Sequence, residues 1–276
     1  MSDENPGLIT VYLQLMKLRV VILLQVTAVC AILAHDLMVR SGSISGDRTW
    51  YDTLISCSIT ILGGTLAAGG SNAINMVYDR DIDPGMSRTR TRPIPNGWIS
   101  PNHALIFGII ISIIGCAVFL PFHWKAAFWS LFSVIFYVFV YTIWLKRKTS
   151  QNIVIGGASG ALPPVIGWAI ATNGIALEPI ILFLIIFIWT PSHFWALSLY
   201  KTDDYKNAKI PMLPVISGIR VTKINIFVYA IILLIVSIIP YFLNYFGILY
   251  LLKESKKLPF TTSAKRILPS FPKVDK

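Results

Sequence analysis

The sequence predicts an all-α protein that crosses a membrane about seven times. Of its 276 residues, 55% are hydrophobic and 13% are charged, which is more apolar and less charged than a soluble domain usually is. The apolar runs lack the alternation of barrel strands, and helices are the other structure that satisfies every backbone group in lipid. A spanning helix needs roughly 20 residues. Suitable runs lie near 20–39, 53–76, 104–122, 126–145, 152–172, 179–199 and 224–247.

The basic residues are distributed unequally between the two predicted sides of the membrane. The opposite-side loops hold Arg40, Arg48 and Lys125. The N-terminal side holds Lys17, Arg19, Arg80, Arg88, Arg90, Arg92, Lys146, Arg147, Lys148, Lys201, Lys206, Lys209, Arg220 and Lys223. Cytoplasmic loops are enriched in Lys and Arg, so we expect the N-terminus in the cytoplasm or matrix. The net charge of +11 therefore indicates topology, and we expect no nucleic-acid partner.

The remaining features indicate membrane packing and a two-part organisation. The first nineteen residues are expected to be a polar lead before an uncleaved first span. Cys30, Cys57 and Cys116 lie within spans and are expected to be inert thiols. The longest loops, 77–103 and 200–223, each follow the second span of a predicted four-helix unit, so they should face one another. The glycine groups of spans two and five are expected to allow close helix packing: Gly63, Gly64, Gly69, Gly70, Gly156, Gly157 and Gly160.

Acidic residues are concentrated in these same two loops. Asp79, Asp81 and Asp83 follow span two, and Asp203 and Asp204 follow span six. Asn75, Asp79 and Asp83 are spaced four residues apart and would share one helix face, which Pro84-Gly85 would end. Carboxylates near a bilayer are costly unless they are paired or bind cations, and hard oxygen ligands suit Mg²⁺. The clusters are therefore candidate metal-binding sites.

Cationic side chains accompany these carboxylates on the same predicted side. Carboxylates beside arginines and lysines fit a Mg²⁺-bridged diphosphate, because the metal needs anionic oxygens and the phosphates need cationic donors. Loops that merely balance their charges under the positive-inside rule are the alternative interpretation. The candidate phosphate-binding residues are Arg80, Arg88, Arg92, Lys146, Arg147 and Lys201.

The segment from Asn75 to Asp83, Asn-Met-Val-Tyr-Asp-Arg-Asp-Ile-Asp, resembles the N-x-x-x-D-x-x-x-D signature of the UbiA-type intramembrane prenyltransferase superfamily. Other segments resemble one family within it, the protohaem IX farnesyltransferases or haem O synthases. They are residues 86–93, 141–147, 151–157, 161–168, 193–197, 203–205 and 211–214. The resemblance extends from about residue 14 to residue 250. Ser192 and Lys209 depart from the family pattern, where proline and glycine are usual, but neither is a proposed ligand.

This resemblance implies Mg²⁺-dependent transfer of farnesyl from farnesyl diphosphate to a vinyl group of haem B, giving haem O for haem A synthesis. Asn75, Asp79 and Asp83 would hold one Mg²⁺-diphosphate contact, and Asp203 and Asp204 the other. The implied substrate-binding residues are Arg80, Arg88, Arg92, Lys146, Arg147, His193, Lys201 and Tyr205. His193 would contact the haem iron or a reacting group. A bacterial inner or mitochondrial inner membrane is implied, with haem A synthase and cytochrome oxidase assembly downstream.

The C-terminal region departs from the family, which has about nine spans. The apolar sequence ends at Leu252, and seven basic residues follow on the side that otherwise has three. The segment from Tyr241 to Leu252 would cover about 18 Å as a helix, too short for a span. The sequence therefore predicts a transmembrane domain over 1–252, a polar tail over 253–276, and a shortened bundle with reduced or absent activity.

Two alternative functions remain open at this point. Another member of the superfamily could prenylate a quinone precursor or a chlorophyll-like ring, although the segments around His193 and Pro211 favour haem. A divalent-cation transporter would also place carboxylates near the membrane. Transporter sites usually lie near the midplane, whereas these carboxylates lie at helix ends among arginines, as phosphate binding requires.

Overall fold

A computed structural model describes residues 6–243 and 245. Its helices are α1 (Leu8–Met16), α2 (Leu18–Arg40), α3 (Trp50–Tyr78), α4 (Pro101–Ala117), α5 (Trp124–Ile135), α6 (Asn152–Ala161), α7 (Pro163–Thr172), α8 (Leu177–Leu199), α9 (Thr202–Asn207) and α10 (Leu213–Phe242). A 3₁₀ turn covers Asp83–Gly85, and α5 continues as a π-helix over Phe136–Leu145. No strand occurs in the described ranges.

The helices confirm the predicted all-α membrane bundle of about seven spans. Six are long and apolar enough to cross a membrane, and α4 is a shorter apolar helix. Helices α6 and α7 together form one of the six, over Asn152–Thr172. Pro163 and Pro164 separate them because proline lacks an amide donor and fits best in the first turn of a helix.

The N-terminal lead is not simply polar, contrary to expectation. Residues Leu8–Met16 form a largely apolar helix whose buried residues are Val11, Leu15 and Met16. The apolar side chains of Leu8 and Ile9, in its first turn, are exposed. Helix α1 packs on α3, and the chain turns sharply into α2 at Lys17, which has a left-handed backbone conformation.

Glycines allow α3 and α4 to pack closely. A Cβ on Gly63 would meet the Gly115 carbonyl oxygen at 2.9 Å, and one on Gly108 would meet the Gly70 carbonyl oxygen at 2.9 Å. The predicted packing role of the span-two glycines is therefore confirmed, since side chains here would force the helices apart. The same prediction is wrong for Gly160, where a Cβ would have no neighbour within 4 Å.

A buried polar network ties α2, α3 and α7 together at the end of α3 that is remote from Asp79. Asp36 accepts hydrogen bonds from Arg48 Nε at 2.6 Å and Thr53 Oγ1 at 2.6 Å, and contacts His35 Nδ1 at 2.7 Å. Arg48 also donates to the Ala171 carbonyl oxygen at 3.1 Å. A buried carboxylate with this many donors stabilises one arrangement of the loop between α2 and α3.

The last helix begins earlier than predicted. The predicted loop 200–223 contains α9, and α10 begins at Leu213, where Pro214 occupies the first turn. The charges of Arg220 and Lys223 had placed this region in the loop, but both lie on α10, after a break at Gly218 with φ of 78°. Helix α10 ends at Phe242; most of the predicted short segment up to Leu252 and the tail over 253–276 lie outside the described residues.

Candidate functional site

The C-terminal end of α3 presents the first three predicted site residues. Helix α3 ends at Tyr78, one residue before Asp79, whose amide still donates to the Asn75 carbonyl oxygen at 3.0 Å. Asn75 and Asp79 therefore lie one above the other as expected, but the expected helix does not continue to Asp83. Asp83 lies in the following 3₁₀ turn, where its amide donates to the Asp79 carbonyl oxygen at 3.0 Å. This turn keeps Asp83 beside Asp79, and both residues are completely buried.

Each buried aspartate is paired with a cation from another segment. Arg92 Nη1 lies 2.8 Å from both carboxylate oxygens of Asp83. Lys146, which follows the π-helix, donates from Nζ to Asp79 Oδ2. The other carboxylate oxygen, Asp79 Oδ1, is buried and has no hydrogen-bond partner among the described residues. A buried carboxylate oxygen without a donor is costly, so this atom is a candidate ligand for a cation.

Burial opposes the charged form of one member of each pair, Asp83 and Lys146. It raises the pKa of Asp83, against the opposing effect of the Arg92 charge. It also lowers the pKa of Lys146, an effect that the nearby Asp79 carboxylate partly offsets. Groups held in charge states that their burial disfavours are concentrated at functional sites.

A π-helix places Lys146 and a buried hydroxyl against α3. The Lys146 amide donates to the Tyr141 carbonyl oxygen at 2.9 Å, five residues back. Thr142 Oγ1 accepts a hydrogen bond from Asn75 Nδ2 at 3.1 Å. π-Helical turns are rare and are frequent at functional sites. The sequence predicted an ordinary helix here, because the apolar pattern of residues 126–145 does not distinguish the two forms.

Lys17 belongs to this site, although the sequence interpretation counted it only as a topology signal. Its Nζ donates to Asn75 Oδ1 at 2.7 Å. Burial lowers the pKa of Lys17 well below its ordinary value, and the positive charges of Arg92 and Lys146 act in the same direction. The only sequence signal was a lysine directly before the apolar run of span one.

The second acidic segment meets the first, as the facing loops predicted. Ser87 Oγ donates to Asp204 Oδ2 at 2.5 Å, which joins α9 to the loop after α3. Met86 packs with Met212 in a buried apolar cluster beneath this contact. The Ser87 hydrogen bond lowers the pKa of Asp204. Asp203 is exposed on the same short helix.

The carboxylate oxygens of these aspartates can hold a divalent cation only if another ligand completes its coordination. Within residues 6–243 and 245, no three His, Cys, Asp or Glu side chains lie close enough to hold a metal ion by themselves. The aspartates instead form two pairs, one buried and one at the surface. Oxygen donors of this kind suit Mg²⁺, which usually retains water or substrate phosphates as additional ligands.

Comparison with known proteins identifies the family. The sequence profile of the UbiA prenyltransferase family matches residues 28–253. The chain belongs to this family.

Two similar proteins of named activity are protoheme IX farnesyltransferases. The protoheme IX farnesyltransferase of Pelagibacter ubique is 58% identical over 194 residues, which are 70% of this chain and 64% of the relative. The chain thus spans slightly less than two thirds of that protein. The protoheme IX farnesyltransferase of Bartonella tribocorum is 45% identical over 250 residues, or 90% of this chain and 76% of the relative.

Solved structures share the UbiA fold. A UbiA homologue from Archaeoglobus fulgidus bound to DMAPP and Mg²⁺ has a TM-score of 0.70 at 18% identity, covering 96% of this chain and 89% of that one. A digeranylgeranylglyceryl phosphate synthase structure has a TM-score of 0.73 at 20% identity, covering 96% and 88%. At these identities the likeness shows the fold alone.

Two of the predicted cationic residues of this UbiA-family chain are engaged elsewhere. Arg147 donates to both carboxylate oxygens of Asp81 at 2.7 Å and to the Tyr78 carbonyl oxygen at 2.7 Å. Arg80 is exposed and donates back to the Val77 carbonyl oxygen at 3.2 Å. Within the described residues, neither donates a hydrogen bond to the carboxylate of Asp79 or Asp83.

The other predicted substrate-binding residues surround the second acidic segment. Arg88 and Lys201 are exposed, and the charges of both lower the pKa of Asp204. Tyr205 is half-buried against the apolar cluster of Met86 and Met212. They form a cationic and aromatic surface beside the buried pair.

His193 lies on α8. Its ring stacks on Trp189 with 4.2 Å between centroids and an angle of 19°. The histidine is half-buried and Trp189 is exposed. No hydrogen bond within the described part of the chain joins His193 to the aspartates, so its predicted contact with haem remains a prediction.

Proposed function

We propose that this chain transfers a farnesyl group from farnesyl diphosphate to a vinyl group of haem B, within a bacterial inner or mitochondrial inner membrane. The observation that supports this most directly is the buried cluster at the end of α3, where Asp79 and Asp83 meet Lys146 and Arg92. Relatives 45–58% identical to this chain are named protoheme IX farnesyltransferases.

The chemistry requires stabilisation of a leaving diphosphate. Breaking the farnesyl C1–O bond leaves its electron pair on the diphosphate, and Lys146 and Arg92 stabilise that charge where water is largely excluded. The terminal vinyl carbon of haem B then bonds to C1 of the allylic cation. The resulting cation beside the porphyrin captures water and releases a proton, leaving a hydroxyethylfarnesyl substituent.

Mg²⁺ would be held by Asp79 and Asp83, with Asp203 and Asp204 forming the second contact. The buried oxygen of Asp79 without a hydrogen-bond partner supports this assignment. The metal would supply positive charge against the diphosphate oxygens. A UbiA homologue bound to DMAPP and Mg²⁺ is consistent with the same metal requirement here.

Haem B would approach from the second acidic segment. Arg88 and Lys201 are exposed cations that could contact phosphate or the haem propionates, and Tyr205 offers an apolar ring beside them. In this proposal the acceptor would bind at the membrane surface that bears most of the basic residues, which the positive-inside rule predicts to be the cytoplasmic or matrix side. Enzymes that use haem O, such as haem A synthase, would act downstream.

Product analysis tests this function. The purified chain in lipid nanodiscs should convert haem B and radiolabelled farnesyl diphosphate to haem O, lose that activity with excess chelator and regain it with Mg²⁺. Full activity in excess chelator would exclude the metal role. Transfer of label to a quinone precursor but not to haem B would assign a different acceptor.

The arrangement does not favour the divalent-cation transporter. The buried aspartates lie at a helix end, and each is neutralised by a lysine or an arginine. A cation pathway would need carboxylates that face a passage through the bundle, usually near the midplane.

A further inference from the structure

Thr142 is a completely buried residue of the π-helix that contacts the end of α3. Its Oγ1 donates a hydrogen bond to the Tyr137 carbonyl oxygen at 2.9 Å, five residues back on the same helix. The same Oγ1 accepts a hydrogen bond from Asn75 Nδ2 at 3.1 Å. A threonine hydroxyl has a single hydrogen, so a hydroxyl that donates to Tyr137 acts toward α3 only as an acceptor.

This hydrogen bond fixes the orientation of the Asn75 side-chain amide. The amide has an NH₂ group that donates and an oxygen that accepts. Because Thr142 holds the NH₂ group, the oxygen lies on the other edge of the amide, where it accepts from Lys17 Nζ at 2.7 Å. The reversed amide would bring its NH₂ group against the Lys17 ammonium and its oxygen against a hydroxyl oxygen. Only one orientation therefore satisfies all the hydrogen bonds.

The fixed oxygen lies on the side of Asn75 that carries the buried carboxylates. Lys17, whose ammonium contacts this oxygen, is close enough to Asp79 and Asp83 to respond to their charges. The unpartnered oxygen of Asp79 is four residues, or about 6 Å, further along the chain than Asn75. A reversed amide would present two hydrogens to a cation bound at this side, and those hydrogens would repel it.

An asparagine one turn earlier shows that the orientation is specific to each contact. Asn72 Oδ1 accepts from the Tyr137 hydroxyl at 3.3 Å, and Asn72 Nδ2 donates to the Met16 carbonyl oxygen at 3.1 Å. Here the amide oxygen faces the π-helix, whereas at Asn75 the NH₂ group does. The donor or acceptor supplied by the π-helix, and not the packing of the two helices, therefore selects how each amide is turned.

We propose that Thr142 is a positioning residue for prenyl transfer, whose hydroxyl turns the Asn75 amide oxygen toward the cation-binding side of the site. The inference rests on the proposed function, in which Asn75, Asp79 and Asp83 hold the Mg²⁺-diphosphate contact. Thr142 acts through Asn75 and contacts no substrate. Such supporting hydrogen bonds typically change metal affinity 10-fold to 100-fold when they are removed.

Thr142→Val tests this role because valine has nearly the shape of threonine but no hydroxyl. The Mg²⁺ concentration that half-saturates binding at fixed inorganic pyrophosphate, measured by calorimetry in detergent, should rise at least about tenfold. Thr142→Ser keeps the hydroxyl and should stay within about threefold of the unsubstituted chain. A purely structural role would lower the melting temperature without changing the Mg²⁺ requirement.

Thr222→Val is the matched control. Thr222 is also completely buried in a helix, and its Oγ1 donates to the Gly218 carbonyl oxygen at 2.8 Å. The change removes a hydroxyl of the same kind on α10 and should leave the Mg²⁺ requirement unchanged.

Asn75→Asp shows whether Thr142 acts through the amide. Aspartate has two equivalent oxygens and presents one to the cation in either orientation. In this background Thr142→Val should raise the Mg²⁺ requirement by less than about twofold, because the two changes act on one contact. An equal effect in both backgrounds would contradict the proposed path through Asn75.

Three further results would overturn the inference: a folded Thr142→Val variant with an unchanged Mg²⁺ requirement, an unsubstituted chain whose pyrophosphate binding does not depend on Mg²⁺, and failure of both Thr142→Val and Thr142→Ala to fold while Thr142→Ser folds. The last would show that the fold itself requires the hydroxyl. Thr142-dependent Mg²⁺ binding by a chain that forms no haem O would support this inference while overturning the proposed function.

Discussion

The two acidic segments present the same residue type in opposite environments. Asp79 and Asp83 are completely buried and paired with Lys146 and Arg92. Asp203 is exposed, and its neighbour Asp204 is half-buried with Ser87 as its hydrogen-bond partner. The first segment is therefore arranged before any ligand binds, whereas the second can still adjust to one.

The supporting helices explain this difference. The first segment follows a 29-residue helix, α3, that packs closely on α4. The second lies on the six-residue helix α9, which has no buried residues. Long packed helices position side chains more rigidly than short surface helices do. We therefore expect substitutions in the buried segment to have larger effects than those in the exposed segment.

Asp79→Asn or Asp83→Asn should have the largest effect. Either change removes a buried charge from the candidate metal site and leaves Lys146 or Arg92 without its anionic partner. Haem O formation should fall at least about a hundredfold, a loss typical of removing electrostatic stabilisation from a reacting site. Product formation by purified variants measures this directly. Asp47→Asn, an exposed change in the loop before α3, is the control that should retain activity.

Substitution in the exposed segment should cost less. The double change Asp203→Asn and Asp204→Asn should raise the KM for farnesyl diphosphate about tenfold, with a smaller effect on kcat, because solvent and neighbouring groups partly replace an exposed ligand. Steady-state kinetics at varied donor concentration separates the two constants. A loss of haem O formation as large as that of Asp79→Asn would contradict the proposal that the exposed segment matters less than the buried one.

The sequence predicted the location of the site better than its geometry. The resemblance and the spacing of Asn75, Asp79 and Asp83 identified the end of α3, and the alternating charges indicated that loops after spans two and six share one side. The Ser87–Asp204 contact shows that the two loops meet. The spacing of residues and the distribution of basic residues between loops can both be read from a single sequence. The first located the site on the chain, and the second indicated the side of the membrane on which the loops lie.

The missed features depend on tertiary contacts. Lys17 enters the site through a left-handed turn that its own residue type disfavours. The π-helix before Lys146 has no distinct apolar pattern, and the pairing of Arg147 with Asp81 cannot be distinguished by sequence from a phosphate contact. In each case the neighbouring helix, and not the local sequence, selects the conformation.

Ser87→Ala should have an intermediate effect, because it breaks the hydrogen bond that joins the two segments. A hydrogen bond to a charged group stabilises less at the surface than in a site shielded from water, so we expect the KM for the donor to rise about threefold. Ser43→Ala, which removes a hydroxyl from an exposed loop before α3, is the control. An unchanged KM would show that α9 is positioned by the Met86 cluster alone.

Asp81→Asn should have the smallest effect on activity. It tests whether burial causes the difference in effect between the buried and the exposed aspartates. Asp81 lies two residues from Asp79 and has the same side chain, but 59% of that side chain is exposed and it pairs with Arg147 at the surface. Exposed ion pairs contribute about 0–1 kcal/mol, since water and salt screen them. Activity should stay within about twofold of wild type and the melting temperature should change little. Haem O formation and thermal unfolding in the same detergent measure both quantities. A loss comparable with that of Asp79→Asn would mean that Arg147 needs Asp81 to hold a substrate, and that burial does not decide which aspartates of this loop matter.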